Sequence, residues 1–124
     1  MATSRDQALA IGQLLAEHKG GEVLLLDLAA HSGWTDWFAL ATASSVTHLR
    51  GLARFVIEYA SAEGLTARGG TYIADDEEWV LLDLGDIIVH LMSERARNFY
   101  ELERLWFQAE ATKIEAPTQA GTSL

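Results

Sequence analysis

The amino-acid sequence predicts a single α/β (α+β) domain in which a mixed sheet of five strands is flanked by helices. The chain has 124 residues, the length of one ordinary domain, and 49% of them are hydrophobic, a typical globular share. Segments with apolar residues at helical spacing alternate with short apolar runs. Their order is helix, two strands, helix, three strands, helix, which predicts mixed strand directions in one sheet.

Short sequence signals bound the first helix and the two strands after it. Ser4 and Gln7 have the spacing of a capping box, and the glycine pair at 20–21 ends the helix. The apolar run at 23–28 predicts a buried strand, and the run at 36–42 predicts a second strand.

A second helix and a short third strand are predicted next. Ser44 and Ser45 can cap this helix, whose apolar stripe covers residues 49–60. Gly64 supplies the stop at its end, and residues 66–70 are expected to form the short strand.

The clearest strands lie at 79–84 and 87–92, and a tight hairpin turn at 84–86 joins them. Because both strands are apolar on both faces, we expect them in the centre of the sheet, covered from both sides.

The last helix begins at Ser93, which can cap it, and Glu94 is favourable in its first turn. Its buried stripe is predicted at Ala96, Phe99, Leu102, Leu105 and Trp106. From Glu110 onward the chain is poor in apolar residues, which predicts disorder. We therefore expect one domain at residues 1–109 and a disordered tail at 110–124.

Charge and composition exclude several classes of function. The net charge is −9, with eighteen acidic and nine scattered basic residues, so broad contact with nucleic-acid phosphates is unfavourable. Such acidity suits a basic protein partner, although it can also serve solubility alone. The chain has no cysteine, which excludes disulfides, thiolate metal sites and a cysteine nucleophile. Neither a membrane span nor a signal peptide is predicted.

Two groups of residues could support chemistry, and each has a simpler interpretation. Asp83, Asp86 and His90 could hold a metal ion, but the last two are about 13 Å apart along a strand. Acids at this position can instead bond to backbone amides of the turn. Ser44 or Ser45 with His48 could form a nucleophilic pair, but no G-x-S-x-G elbow is present, and helix capping explains both serines better.

A third group suggests a binding surface. Strand alternation places Trp79, Leu81 and Asp83 on one face, directly after four acidic residues at 75–78. An aromatic anchor beside charges is typical of an interaction hot spot, which requires Trp79 to face solvent. The alternative, equally supported by the pattern, is that Trp79 is ordinary core.

Four segments together resemble one family. They are Leu-Asp-Leu at 26–28, Thr-Asp-Trp-Phe at 35–38, Glu-Trp-Val-Leu-Leu-Asp-Leu-Gly-Asp-Ile-Ile-Val-His at 78–90, and Glu-Arg-Ala-Arg-Asn-Phe-Tyr-Glu-Leu-Glu-Arg-Leu-Trp at 94–106. Their order and spacing from about residue 8 to 106 resemble the ribosomal silencing factors, also called Iojap-like proteins.

The resemblance implies a nucleotidyltransferase-like fold without that fold's catalytic acids, hence no enzyme, no cofactor and no metal. It implies a cytoplasmic homodimer that binds ribosomal protein L-fourteen on the large ribosomal subunit, blocks joining of the small subunit and represses translation. Organelle members assist large-subunit assembly. The alternatives are a metal-dependent nucleotidyltransferase-like enzyme and a dimeric adaptor in large-subunit assembly.

The resemblance also implies a partner-binding surface. Its centre matches Trp79, Asp83 and Leu84, and Asp36 and His90 match further family positions. The chain departs from the family before the second helix, where Ala43 and Thr47 replace a usual glycine and arginine.

Overall fold

The computed structural model describes residues 3–29, 35–65, 70–72, 78–100 and 110–114. These residues form α1 (Ser4–Glu17), β1 (Gly21–Asp27), β2 (Trp37–Ala43), α2 (Val46–Ala62), β3 (Gly70–Tyr72), β4 (Trp79–Asp83), β5 (Ile87–Ser93), α3 (Glu94–Tyr100) and β6 (Glu110–Ile114). No described helix is both long enough and apolar enough to cross a membrane.

The strands form one mixed sheet in the order β3-β4-β5-β2-β1-β6. Only the central pair, β2 and β5, is parallel within the described sheet, and its register runs from Trp37 opposite Ile87 to Ala43 opposite Ser93. The remaining neighbours are antiparallel. The predicted mixed α/β domain is therefore confirmed, and its five strands are joined by a sixth.

The face of the sheet that packs against α1 and α2 is called here the helix-pair face. Its core is apolar because both helices present their buried stripes to alternate residues of the strands. The fully buried side chains include Ile11, Leu15, Leu25, Leu52, Val56, Leu82, Val89 and Leu91.

The opposite side, called here the α3 face, has its own apolar cluster. The alternate strand residues point to this side, and Ala96 of α3 packs against them. The cluster contains Leu24, Leu26, Leu28, Phe38, Leu40, Trp79, Ile88, Met92 and Ala96, with Leu81 partly exposed at its margin. Both faces of β4 and β5 are thus covered, as the sequence predicts.

Helix caps agree with the sequence at two of three positions. The Ser45 hydroxyl accepts the His48 amide hydrogen at the start of α2, and Ser93 accepts that of Ala96 in α3. The predicted cap at Ser4 is wrong by one residue. Thr3 caps α1, because its hydroxyl accepts the Asp6 amide while the Asp6 carboxylate accepts the Thr3 amide.

The predicted hairpin between β4 and β5 is confirmed. Gly85 has a φ of +94°, a conformation that favours glycine, and the Leu84 amide donates to the Ile87 carbonyl at 2.9 Å. The Asp83 carboxylate accepts the Gly85 amide hydrogen at 2.9 Å. Here the turn-bonding interpretation of an acid is confirmed.

Two boundaries differ from the predictions. The disorder expected from Glu110 is wrong for Glu110–Ile114, which pairs antiparallel with β1 as strand β6. Residues 115–124 lie outside the described residues, as do Leu102, Leu105 and Trp106. The short strand expected at 66–70 lies at Gly70–Tyr72, and residues 66–69 are not described.

A buried arginine supports the irregular start of β1. The register of β1 against β2 shifts between Gly21 and Leu24, and Glu22 has a φ of +44°. The Arg97 guanidinium, 5% exposed, donates to the Glu22 carbonyl at 2.6 Å and to the Thr42 hydroxyl at 3.1 Å. Arg97 thereby connects α3 to the bulged strand.

Candidate partner-binding site

Trp79 is part of the core. It begins β4 opposite Met92 and is 7% exposed within the α3-face cluster. The expectation of a solvent-facing tryptophan is therefore wrong, because the face to which alternation directs this side chain is itself covered. The pattern left these two interpretations equal, since alternation shows which residues share a face but not whether that face is open.

A hydrogen bond joins Trp79 to His90. The indole Nε1–H donates to Nδ1 of His90 at 3.2 Å. The ring centroids of Phe38 and His90 lie 4.6 Å apart, and the two rings meet edge to face. His90 is 4% exposed, and burial lowers its pKa from the ordinary 6.5 to about 4. The imidazole is therefore neutral at neutral pH, with Nδ1 as its acceptor.

The second ring nitrogen of His90 has no partner. Its Nε2 is buried and makes no hydrogen bond to any of the described residues. Because Nδ1 accepts the indole hydrogen, the ring hydrogen of a neutral imidazole must lie on Nε2. A buried donor without an acceptor costs about 1–3 kcal/mol.

The other predicted site residues differ in accessibility. Leu84 is 5% exposed and packs into the cluster on the helix-pair face, so its side chain is not offered to a partner. Asp36 and Asp83 are partly exposed. Leu81, which alternation placed between Trp79 and Asp83, is the partly exposed apolar residue of this strand.

Among the side chains that the structure describes, the carboxylates of Asp27, Asp36, Asp83 and Asp86 belong to one end of the sheet. Asp27 ends β1 opposite Trp37, and Asp83 ends β4 opposite Ile88. The amides of Asp36 and Trp37 both donate to the Asp86 carbonyl at 3.0 Å, which brings these segments together. The predicted residues Asp36 and Asp83 therefore lie at the same acidic end, beside Leu81.

The described residues show no group of three His, Cys, Asp or Glu side chains with the geometry of a metal site. The Asp83 carboxylate bonds to the turn, and Nδ1 of His90 is occupied by Trp79. The structure therefore does not bring together the residues that the sequence offers as metal ligands.

Ser44 and His48 do come together, but their geometry is that of a clamp. The Ser44 Oγ and amide nitrogen lie 3.1 and 2.9 Å from Nδ1 of His48, and one lone pair cannot serve both. Nε2 of His48 lies 2.9 Å from the His18 carbonyl, where a catalytic triad has a carboxylate. The pair thus ties the start of α2 to the end of α1.

A cavity of about 560 Å³ opens beside this clamp, where β2 and β5 end. Its lining mixes hydroxyl, acidic and basic side chains, among them Lys19, Ser45, Glu78 and Arg95. The Glu78 carboxylate accepts the Ser93 hydroxyl at 2.8 Å and lies 3.8 Å from the Arg95 guanidinium. Glu78 is thus paired with Ser93 and Arg95 rather than placed as a base beside a nucleophile.

Comparison with known proteins decides the family. The model of the family described as "Ribosomal silencing factor during starvation" matches residues 1–123. The chain belongs to this family. The match extends through β6, so the segment expected to be a tail has a counterpart among ribosomal silencing factors.

Individual ribosomal silencing factors match most of the chain. The one from Treponema pallidum is 38% identical over 109 residues, which cover 84% of this chain and 93% of the relative. The one from Bacillus subtilis is 28% identical over 99 residues, covering 80% and 83%. A mouse relative, named mitochondrial assembly of ribosomal large subunit protein 1, is 26% identical over 85% of this chain and 49% of its own length.

Solved structures share the fold of this chain. A crystal structure from Chromobacterium violaceum superposes with a TM-score of 0.76 at 25% identity and covers 95% of this chain and 98% of that one. One from Bacillus halodurans gives 0.71 at 24% identity, covering 87% and 98%.

Proposed function

We propose that this protein binds the large ribosomal subunit in the cytoplasm through ribosomal protein L-fourteen. Bound at the joining face, the domain excludes the small subunit by occupying its place, and translation falls as a result. The free protein is a homodimer. The mechanism needs no bond making, in agreement with the regulatory role in the names of its relatives.

One observation of the structure supports this surface above others. On the α3 face, β4 combines a partly exposed apolar side chain, Leu81, with the carboxylates of the acidic end, Asp83 among them. An apolar contact ringed by charge is typical of a specific protein interface. A basic ribosomal protein complements the carboxylates, whereas neighbouring RNA phosphates are repelled by them.

The proposed contact residues change in role when burial is considered. Trp79 and His90 are buried beside Leu81 and are not exposed contact residues. Leu84 supports the hairpin from the helix-pair face. Leu81, Asp83 and Asp36 are the side chains that a partner can reach without local opening.

The test is a subunit-association assay with purified ribosomal subunits, paired with co-sedimentation on large subunits. Leu81→Ser should weaken binding by about 2 kcal/mol, the size of a hot-spot contact. Ile57→Ser is the matched control, because Ile57 is also an exposed apolar residue, 39% exposed, but lies on α2 at the helix-pair face. That variant should bind as the natural protein does.

Charge is tested in the same assay. Asp83→Asn keeps an oxygen for the Gly85 amide but removes the negative charge, so binding should weaken while the fold persists. Binding of the natural protein should also weaken as salt rises, since exposed charges are screened. Normal joining of the two subunits in the presence of a large excess of the protein would disprove the proposed function.

A role in large-subunit assembly is the second candidate. It is favoured by the name of the mouse relative, which matches 85% of this chain. Binding to immature large particles in preference to mature subunits would distinguish assembly from silencing.

A further inference from the structure

We propose that His90 is a hydrogen-bond donor that the fold holds ready for an acceptor oxygen of the docked partner. This inference rests on the proposed function and adds to it a buried polar atom of the α3 face that has no hydrogen-bond partner among the described residues. The partner group is a neutral oxygen, such as a backbone carbonyl or a carboxamide, on a protein segment that packs against Leu81.

The identity of the donor follows from Trp79. The indole has a hydrogen to donate and no lone pair to offer, so its contact with Nδ1 at 3.2 Å fixes the direction of that bond. His90 must then carry its hydrogen on Nε2. The Phe38 ring, whose centroid lies 4.6 Å from that of the imidazole, further holds the ring in place.

The position of Leu81 gives the partner its approach. Leu81 and His90 are cross-strand partners in the antiparallel pair of β4 and β5, and both point to the α3 face. His90 is 4% exposed, whereas Leu81 is partly exposed at the margin of the same cluster. A partner segment that packs against Leu81 therefore lies beside His90, on the neighbouring strand and on the same face of the sheet.

The surrounding charges select the acceptor. Asp83, on the same strand, and Asp36, at the same end of the sheet, would repel a carboxylate that approached Nε2. A backbone carbonyl or an amide oxygen carries no such penalty. A basic side chain next to that oxygen would at the same time reach Asp83. A partner segment that presents a neutral oxygen beside a lysine or arginine therefore fits this surface.

Docking satisfies a buried hydrogen-bond donor that has no acceptor among the described residues of the free protein. The unpartnered Nε2–H is unfavourable in the free state and becomes satisfied only in the complex. Its contribution to affinity is therefore larger than that of a donor already hydrated before binding, and it discriminates against surfaces that offer no oxygen at this point.

Two variants separate the donor from the rest of the ring. His90→Asn can place its amide oxygen at the position of Nδ1 and still accept the hydrogen of the Trp79 indole. It has no atom at the position of Nε2. His90→Gln places its amide NH₂ near Nε2 and keeps the donor. The free-state stability of both variants is measured by urea denaturation, and their affinity for large subunits by co-sedimentation.

We expect His90→Asn to bind about tenfold more weakly than the natural protein and His90→Gln to remain within about threefold. Equal binding by the folded Asn variant overturns the inference. If the natural protein itself does not bind large subunits, the proposed function fails instead, so the two failures are distinct.

A second measurement does not depend on folding of the variants. In protein labelled with ¹⁵N at histidine, the Nε2-bound hydrogen of His90 is followed by NMR with and without isolated L-fourteen. We expect a downfield shift and slower exchange with solvent on binding, as a new hydrogen bond forms. An unchanged His90 signal when other residues of β4 respond contradicts the inference.

Discussion

The sheet is covered on one face by helices of 14 and 17 residues, whereas α3 supplies seven residues in the described cover of the other. The buried cluster on the helix-pair face consists of hydrophobic residues, most of them aliphatic. The α3 face is equally buried at its centre but contains the Trp79–His90 hydrogen bond, and α3 contributes the buried Arg97. Two faces with the same degree of burial therefore differ in the polar chemistry they enclose.

This difference separates two functions of a core. An apolar cluster stabilises the fold without fixing the orientation of its members through directional bonds. Buried polar groups add directional constraints, and each unsatisfied one is a cost that a binding partner can remove. In our proposal, the helix-pair face supplies stability and the α3 face supplies both stability and recognition.

The largest effect on stability is expected for substitutions in the core, and it tests whether Trp79 on the α3 face is a core residue. Trp79→Ala should lower the free energy of unfolding by about 3–5 kcal/mol, and Leu25→Ala on the helix-pair face by about 2–5 kcal/mol. Both costs arise from lost burial and the cavity left behind, and urea denaturation measures them. Trp79→Phe is the control, since it keeps most of the apolar volume. A loss below 1 kcal/mol for Trp79→Ala would show that the indole contributes little to the core.

A smaller effect concerns pH and is confined to the α3 face. The pKa of His90 falls from 6.5 to about 4 on folding because burial disfavours the charged ring. Between these values the unfolded chain binds a proton that the folded one does not, so stability is full above pH 6.5 and decreases as pH falls. The contribution lost by pH 4 is about 3 kcal/mol.

His90→Asn has no titrating group at this position, so the difference between its pH–stability curve and that of the natural protein isolates the imidazole. We expect the natural protein to lose more stability on acidification than the variant does. Parallel curves from pH 7 to 4 would mean that His90 titrates alike in both states.

The smallest effect concerns the junction of α3 with β1. Arg97→Met preserves much of the side-chain volume but leaves the Gly21 and Glu22 carbonyls without their donor. We expect a loss of about 2 kcal/mol in thermal or urea denaturation. Arg97→Lys should lose less, because an ammonium can still donate to one of these oxygens. An unchanged melting temperature for Arg97→Met would show that the bulge at Glu22 does not depend on α3.

Local patterns were sufficient for most elements of the fold. Apolar patterns identified α1, α2 and strands β1, β2, β4 and β5, and the hairpin at 84–86 followed from a glycine between two apolar runs. These features depend on residues close in sequence. The short β3 was expected at 66–70 but lies at Gly70–Tyr72. The cap of α1 shows the limit, since Thr3 and Ser4 are equally good caps and only the reciprocal bond with Asp6 decides between them.

Features that depend on distant contacts were not predictable. The segment at 110–114 has little apolar character and becomes a strand because β1 offers it a paired edge. The burial of Trp79 and its bond to His90 depend on register across β4 and β5 and on what covers the face. The family resemblance pointed to strand β4, but it could not show that Leu81 is more accessible than Trp79.

Strand β6 protects β1 from pairing with strands of other molecules. It occupies the outer side of β1, whose residues Val23, Leu24, Leu25 and Leu26 form an uninterrupted run of buried apolar side chains. Without β6, β1 would be an apolar edge strand whose unpaired amide and carbonyl groups could pair with other chains and lead to aggregation. Lys113 places a charge on the new edge strand, which disfavours pairing with a further strand at this side of the sheet.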